Sequence, residues 1–272
     1  MRCALFLTNG PKRRNEAQRN ANKFEYMKRI ILSLLILAAM GLQGRAQGFA
    51  FGVKGGMTIG VQQWEGLQQD PLFKYHGIAF IESLSEENAF GVFAQLGYHQ
   101  KGSAIRNRFA QNIFNNLPFR QSTREFIFNN LSLIGGAKQK FALGAGDSKA
   151  YYALGIRLDY TLNTNLGEYT AINESNPAYA FFPIDDTQFI REVNYGVTLG
   201  GGIEVPFSEL VGAVIEFTVN PDFSYQYEQP EIPNVLDPIT GNSRTIPERR
   251  IRNLTFELTV GFRFLRKVEY ID

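Results

Sequence analysis

The chain has 272 residues, 44% of them hydrophobic, 13% aromatic and 20% charged, with a formal net charge of +2. Those proportions suit one folded domain of moderate size and exclude a disordered chain. A single cysteine, Cys3, excludes a disulfide scaffold within the chain.

Residues 1–26 are basic and lack apolar periodicity, and we expect them to be an upstream extension ahead of a start at Met27. Residues 27–46 read as a secretory signal peptide. Met27-Lys28-Arg29 is its basic start, Ile30 to Met40 its apolar run, and Gly44-Arg45-Ala46 places small residues before a cut at Gln47. The apolar run is shorter than the roughly 20 residues a spanning helix needs. Residues 1–26 carry net +4 and residues 27–46 net +3, so the remainder carries 2 − 4 − 3 = −5. Cys3 leaves with them, and a nucleic-acid partner is not expected.

From Phe49 the chain alternates with period two, the signature of a strand with unlike faces. Phe49, Phe51, Val53, Met57 and Ile59 oppose Ala50, Gly52, Lys54, Gly56 and Thr58. A loop is expected from Gly60 to Phe73. The next strand, Tyr75 to Leu84, has an ambiguous facing, because Lys74, His76 and Glu82 share a parity with Ile78 and Phe80. Phe90, Val92, Ala94, Leu96 and Tyr98 then oppose Gly91, Phe93, Gln95, Gly97 and His99. After a polar loop from Gly102 to Arg124, Leu131, Leu133, Gly135 and Ala137 oppose Asn130, Ser132, Ile134, Gly136 and Lys138.

The following strand is the cleanest, with Tyr152, Leu154, Ile156, Leu158, Tyr160 and Leu162 against Tyr151, Ala153, Gly155, Arg157, Asp159 and Thr161. A second long loop covers Asn163 to Arg191. Val193, Tyr195, Val197, Leu199, Ile203 and Val205 oppose Asn194, Gly196, Thr198, Gly200, Gly202 and Glu204. A short turn leads to Val211, Ala213, Ile215, Phe217 and Val219 against Gly212, Val214, Glu216, Thr218 and Asn220. The longest polar loop, Pro221 to Arg249, precedes Asn253 to Phe264, where Leu254, Phe256, Leu258, Val260, Phe262 and Phe264 share one face.

Eight strands of roughly 9–11 residues, joined by alternately long and short connections, predict an eight-stranded antiparallel up-and-down transmembrane β-barrel over 47–264. The first strand is expected to close on the last, and 265–272 to form a short periplasmic tail. Both termini are then periplasmic and the chain resides in the outer membrane. Alternation by itself does not say which face points inward, and a soluble barrel would be its inverse. Three features favour lipid outside: charges and glycines share the polar face, large aromatics fall near strand ends, and the chain carries an export signal.

Particular stretches carry a family likeness: G-V-K-G-G-M-T at 52–58, F-G-V-F-A-Q-L-G-Y-H-Q-K-G at 90–102, N-L-S-L-I-G-G-A-K at 130–138, Y-G-V-T-L-G-G-G-I-E at 195–204 and V-G-F-R-F at 260–264. In these the chain resembles the outer-membrane β-barrel family abundant in Bacteroidota, called porin-family or PorT-like. The resemblance implies a barrel of the cell envelope and permits an accessory role in a secretion system.

Lys54, Lys138, Arg157, Asp159, Glu204, Glu216, Glu257 and Arg263 lie on polar faces and are expected to form an ion-paired lumen. Gly261, Phe262 and Phe264 resemble the C-terminal signal read by barrel-assembly machinery. His76 and His99 fall near the outer end of the second hairpin, with Ser103 and Asp70 the nearest partners for rim catalysis. Nothing in the spacing orients a base on a nucleophile, and two histidines are too few for a metal site. No catalytic residue, metal or cofactor is therefore expected. The expected function is a small integral outer-membrane protein, not an enzyme and not an open porin. Its partners are outer-membrane lipids, the assembly machinery and an envelope protein bound through the long loops. The alternatives are a secretion accessory barrel and a rim lipid-modifying enzyme.

Overall fold

The computed structural model describes residues 48–64, 69–84, 90–106, 109–111, 117–120, 123–144, 147–169, 188–236 and 241–267. The expectations for residues 1–46 and 268–272 lie outside these. Among the described residues thirteen strands follow in chain order: β1 (Gly48–Trp64), β2 (Asp70–Leu84), β3 (Phe90–Ile105), β4 (Phe109–Gln111), β5 (Pro118–Arg120), β6 (Arg124–Ala142) and β7 (Lys149–Thr164). The rest are β8 (Val193–Pro206), β9 (Val211–Pro221), β10 (Tyr227–Gln229), β11 (Ile232–Leu236), β12 (Ser243–Ile246) and β13 (Arg249–Lys267).

Eight of these form a closed antiparallel ring in the order β1-β2-β3-β6-β7-β8-β9-β13, with β13 pairing back onto β1 from Gly48↔Lys267 to Trp64↔Ile251. Closure leaves no backbone edge, which a hydrocarbon environment demands. One end of the ring holds the strand ends joined by the three short connections after β2, β6 and β8, together with Gly48 and Lys267. The other end holds the longer connections, including the small sheets β4–β5 and β11–β12. There β10 adds to the rim of β13.

The ring is apolar outside and polar inside. Along β7, Tyr152 and Ile156 are 60% and 70% exposed while Tyr151, Arg157 and Asp159 are buried. The same inversion holds on β9 and β13, where Ile215, Phe217, Leu258, Val260 and Phe262 face out. A contiguous belt of this size is unfavourable in water and favourable in lipid, the arrangement of a transmembrane barrel. On β13 the outward apolar run from Leu254 to Phe264 lies between Arg252 and Arg266. At ~3.4 Å per residue and a tilt of about 45° it spans about 24 Å of bilayer normal, close to the usual lipid-facing band. Arginine–aromatic pairs border the belt. Arg252 lies 4.6 Å from the Tyr225 ring and Arg106 5.7 Å from Phe73 at the loop end, and Arg266 lies 5.7 Å from Phe49 at the turn end.

Several sequence expectations need correction. The barrel strands have 11 to 19 residues rather than 9–11, because they continue past the belt toward the loops. Most of the expected loop Gly60 to Phe73 belongs to β1 and β2, and the start of the Gly102–Arg124 loop belongs to β3. Leu265 to Lys267, assigned to a tail, pair with Gly48 to Ala50. The ambiguous second strand turns Lys74, His76, Ile78, Phe80 and Glu82 inward and Phe73, Tyr75 and Ile81 outward.

Near the loop end β3 leaves regular alternation, and Lys101 to Ile105 are all buried. Gly102 has φ +148°, and a Cβ there would sit 1.8 Å from the carbonyl oxygen of Phe126. The β2–β3 register slips between Pro71 and His76, and Gly102 backbone atoms come against Gly60 of β1. Two glycines thus let β3 lean behind β2 and carry Ser103 toward Gln62, which an L-residue at 102 would block.

Candidate functional site

The inward residues of the ring stack into layers, read along β13 from Arg263 at the turn end to Ile251 at the loop end. At the turn end, Lys138 donates to Glu82 (3.0 Å), Lys140 bridges Glu82 and Glu204, and Arg263 also binds Glu204. Above them Lys54 pairs with Glu216, whose other oxygen accepts from the Tyr151 hydroxyl at 2.7 Å. Lys138 also lies 4.5 Å from the Tyr151 ring and close to Phe80 and Phe93, so its charge sits among aromatic faces.

The next layer holds both histidines of the chain. The rings of His76 and His99 stack with centroids 5.4 Å apart and planes 9° from parallel. His76 bonds the hydroxyls of Thr58 (3.0 Å) and Thr259 (2.9 Å), and His99 Nδ1 meets Glu257 Oε1 at 2.7 Å. Glu257 also accepts from Thr218 at 3.3 Å. Farther toward the loops, Arg157 contacts Asp159 (3.1 Å) and Asp222, Lys101 binds Asp159, and Ser132 donates to Asp159. An amide layer follows: Gln62 donates to Asn253 (2.8 Å), and Asn253 to Asp222 (3.0 Å) and Gln226 (3.1 Å).

An apolar seal closes the loop end. Ile105, Phe126, Phe128, Leu166, Tyr169, Tyr227 and Ile251 are buried together, with Trp64, Phe189 and Ile190 packed against them. The Trp64 and Phe126 rings are 5.0 Å apart, as are, at 5.1 Å, those of Phe126 and Tyr169. β6 supplies Phe126 and Phe128 from its inward parity, so the polar face of that strand turns apolar where it leaves the belt.

All eight residues expected in the lumen are buried there. Lys54 with Glu216, Arg157 with Asp159 and Arg263 with Glu204 pair among themselves. Lys138 and Glu257 instead find Glu82 and His99, which sequence reasoning does not place in the network. It misses Lys101, Lys140, Tyr151 and Asp222 as well. Lys101 and Asp222 lie in or beside segments that read as loop, while Lys140, Tyr151 and Glu82 share the inward parity of their strands and are legible in principle. The histidines lie in the lumen, at the level of the Gly56↔His76 and Gly56↔Thr259 pairs, and not at the outer rim. Ser103 donates to Gln62 (2.7 Å) with the Gln69 side-chain oxygen 3.0 Å away, and Asp70 accepts from the Arg106 backbone N–H (2.8 Å). Neither residue bonds a histidine, so the four do not assemble into a catalytic group.

No protein-family model and no curated protein matches this sequence. Among solved structures the chain is similar to Neisserial surface protein A, at 11% identity and TM-score 0.44, covering 81% of this chain and 97% of that one. It is similar to the outer membrane protein OprG from Pseudomonas aeruginosa, at 10% identity and TM-score 0.46, over 81% and 99% of the two chains. A major outer membrane protein from Thermus thermophilus aligns at 12% identity and TM-score 0.41, over 80% and 99%. No lumen residue is assigned from these similarities.

Gly261, Phe262 and Phe264, expected as an assembly signal, all lie on the β1–β13 seam. Phe264 pairs with Phe51 and Val211, and its ring is 5.8 Å from that of Phe51. A Cβ on Gly261 would lie 2.4 Å from both the Val53 carbonyl oxygen and the Lys54 side chain, so glycine lets the closing strands approach.

Proposed function

We propose that this chain is a small integral outer-membrane protein that anchors its loops at the cell surface, structural or partner-binding, and neither an enzyme nor an open porin. The observation that carries this reading is the filled lumen. Lys54, Lys101, Lys138, Lys140, Arg157 and Arg263 face Glu82, Asp159, Glu204, Glu216, Asp222 and Glu257, six charges of each sign, beneath an apolar seal. Paired charges and packed side chains leave an eight-stranded barrel no room for a water column. Working surface therefore falls to the loop end, with the short turns and both strand termini on the periplasmic side. Reconstitution into planar bilayers tests it: channel activity at background level is expected, and stable porin-like conductance overturns the reading.

The PorT-like resemblance of the strand motifs supports a narrower version, an accessory barrel of a secretion system. Purification in mild detergent separates the two: a stoichiometric envelope complex favours the accessory role, and an isolated barrel favours the anchor. The rim-enzyme alternative is disfavoured by the engagement of Ser103 and Asp70 away from either histidine.

A further inference from the structure

We propose that His76, His99 and Glu257 form a binding site for a divalent transition-metal ion of the zinc class inside the barrel. One ligand atom from each residue lies within 4.8 Å of the others, and all three side chains are buried. They come from β2, β3 and β13, so the two histidines of the sequence meet a carboxylate that only ring closure brings to them.

Hydrogen bonding prepares this group for a metal. A carboxylate only accepts, so in the His99–Glu257 bond Nδ1 carries the proton, and an ion shared by His99 Nδ1 and Glu257 takes that proton's place. Nε2 on the far side of the ring is buried without a hydrogen-bond partner, so the ring gives up no bond there when it turns toward the ion. Both nitrogens of His76 meet threonine hydroxyls, which turn to donate or accept, so either can be released. Gly97 keeps space beside the ring, since a Cβ there would lie 2.6 Å from His99 Nε2.

Around a tetrahedral zinc, ligand atoms sit about 3.3 Å apart, so no pair has to close by more than about 1.5 Å. Because the rings are nearly parallel, one of them must swing so that both lone pairs point at the ion. Two imidazoles and one carboxylate suit zinc, cobalt, nickel or copper, whereas calcium and magnesium prefer all-oxygen shells. Bound there, the ion ties β2 and β3 to the closing strand β13. The seal above and the ion pairs below predict capture during folding and slow release afterward.

The test folds the full chain, carrying no polyhistidine tag, into detergent micelles with Co²⁺ or Zn²⁺, followed by desalting. About one ion per folded barrel is expected, with the visible absorption of Co²⁺ in a nitrogen–oxygen site. Zinc X-ray absorption should show imidazole scattering, which in this chain can come only from His76 and His99. His99→Gln and Glu257→Gln, checked for folding by heat-modifiable migration, should each lower affinity by about tenfold or more. Less than a tenth of an ion per folded wild-type barrel, or zinc bound without imidazole scattering, overturns the proposal whether or not the variants fold. Retention of Mg²⁺ or Ca²⁺ in place of Zn²⁺ also overturns it.

Discussion

Arg157 has no exposed surface and stands between Asp159 and Asp222, two carboxylates that also share Lys101. Arg157→Met keeps much of the volume and leaves two buried carboxylates with one cation. The expected loss is about 3–5 kcal/mol of folding stability, the range for breaking a buried pair by removing one partner, measured by urea titration of the folded barrel in liposomes. Arg191→Met breaks an exposed pair with Glu228 (3.2 Å) and should leave the midpoint nearly unchanged. Gly102 is a second test at this scale. Its φ of +148° and the carbonyl of Phe126 leave no place for a Cβ, so Gly102→Ala should cost at least about 1–3 kcal/mol. An unchanged midpoint would mean that β3 does not lean as described.

Among the elements, the β1–β13 seam decides closure. Its outward face carries Phe51 and Phe264 in ring contact, and its turn end carries Leu265 to Lys267 paired with Gly48 to Ala50. Leu265 to Lys267, expected in a tail, therefore belong to the closure. Phe264→Ala should reduce the folded fraction on assembly into membranes severalfold, and truncation after Lys267 should have little effect. Pulse-chase protection from protease measures both, and the reverse order would separate the aromatic from the assembly step. β6 shows a different kind of design: one inward face presents Lys138, Ser132 and Asn130 to the lumen, then Phe128 and Phe126 to the seal. A change of polarity along an unchanged parity marks where the strand rises out of the belt.

For the whole molecule, the seal can be followed with the single tryptophan of the chain. Trp64 packs on Phe126 and donates to Gln62 at 3.0 Å, bridging the seal and the amide layer beneath it. Folding into lipid should shift its emission to the blue and protect it from acrylamide. Phe126→Ala should raise the quenching constant by at least about twofold while heat-modifiable migration persists, because truncating a buried aromatic opens a cavity. Conductance should stay at background in that variant, since the ion-paired layers lie below the seal. Loss of closure with the seal alone would show that the charges do not fill the lumen.

The barrel was legible because alternation is local: each side chain declares its face through its immediate neighbours, and eight such runs with turns between them admit few closed arrangements. Lys54, Arg157, Glu216 and Arg263 could be placed in the lumen on parity alone. Facing failed to emerge for β2, where His76 and Glu82 share a parity with Ile78 and Phe80, because a narrow lumen takes apolar and polar side chains alike. Strand lengths were underestimated where the outward parity turns polar beyond the belt, as at Gln63, Gln100 and Arg252. What only the tertiary structure decided is who meets whom. Glu257 is 158 residues from His99 and bonds it because β13 closes against β1 and both histidines look into the same layer. No local pattern carries that pairing, since the curvature and stagger of the whole ring set which inward residues share a height.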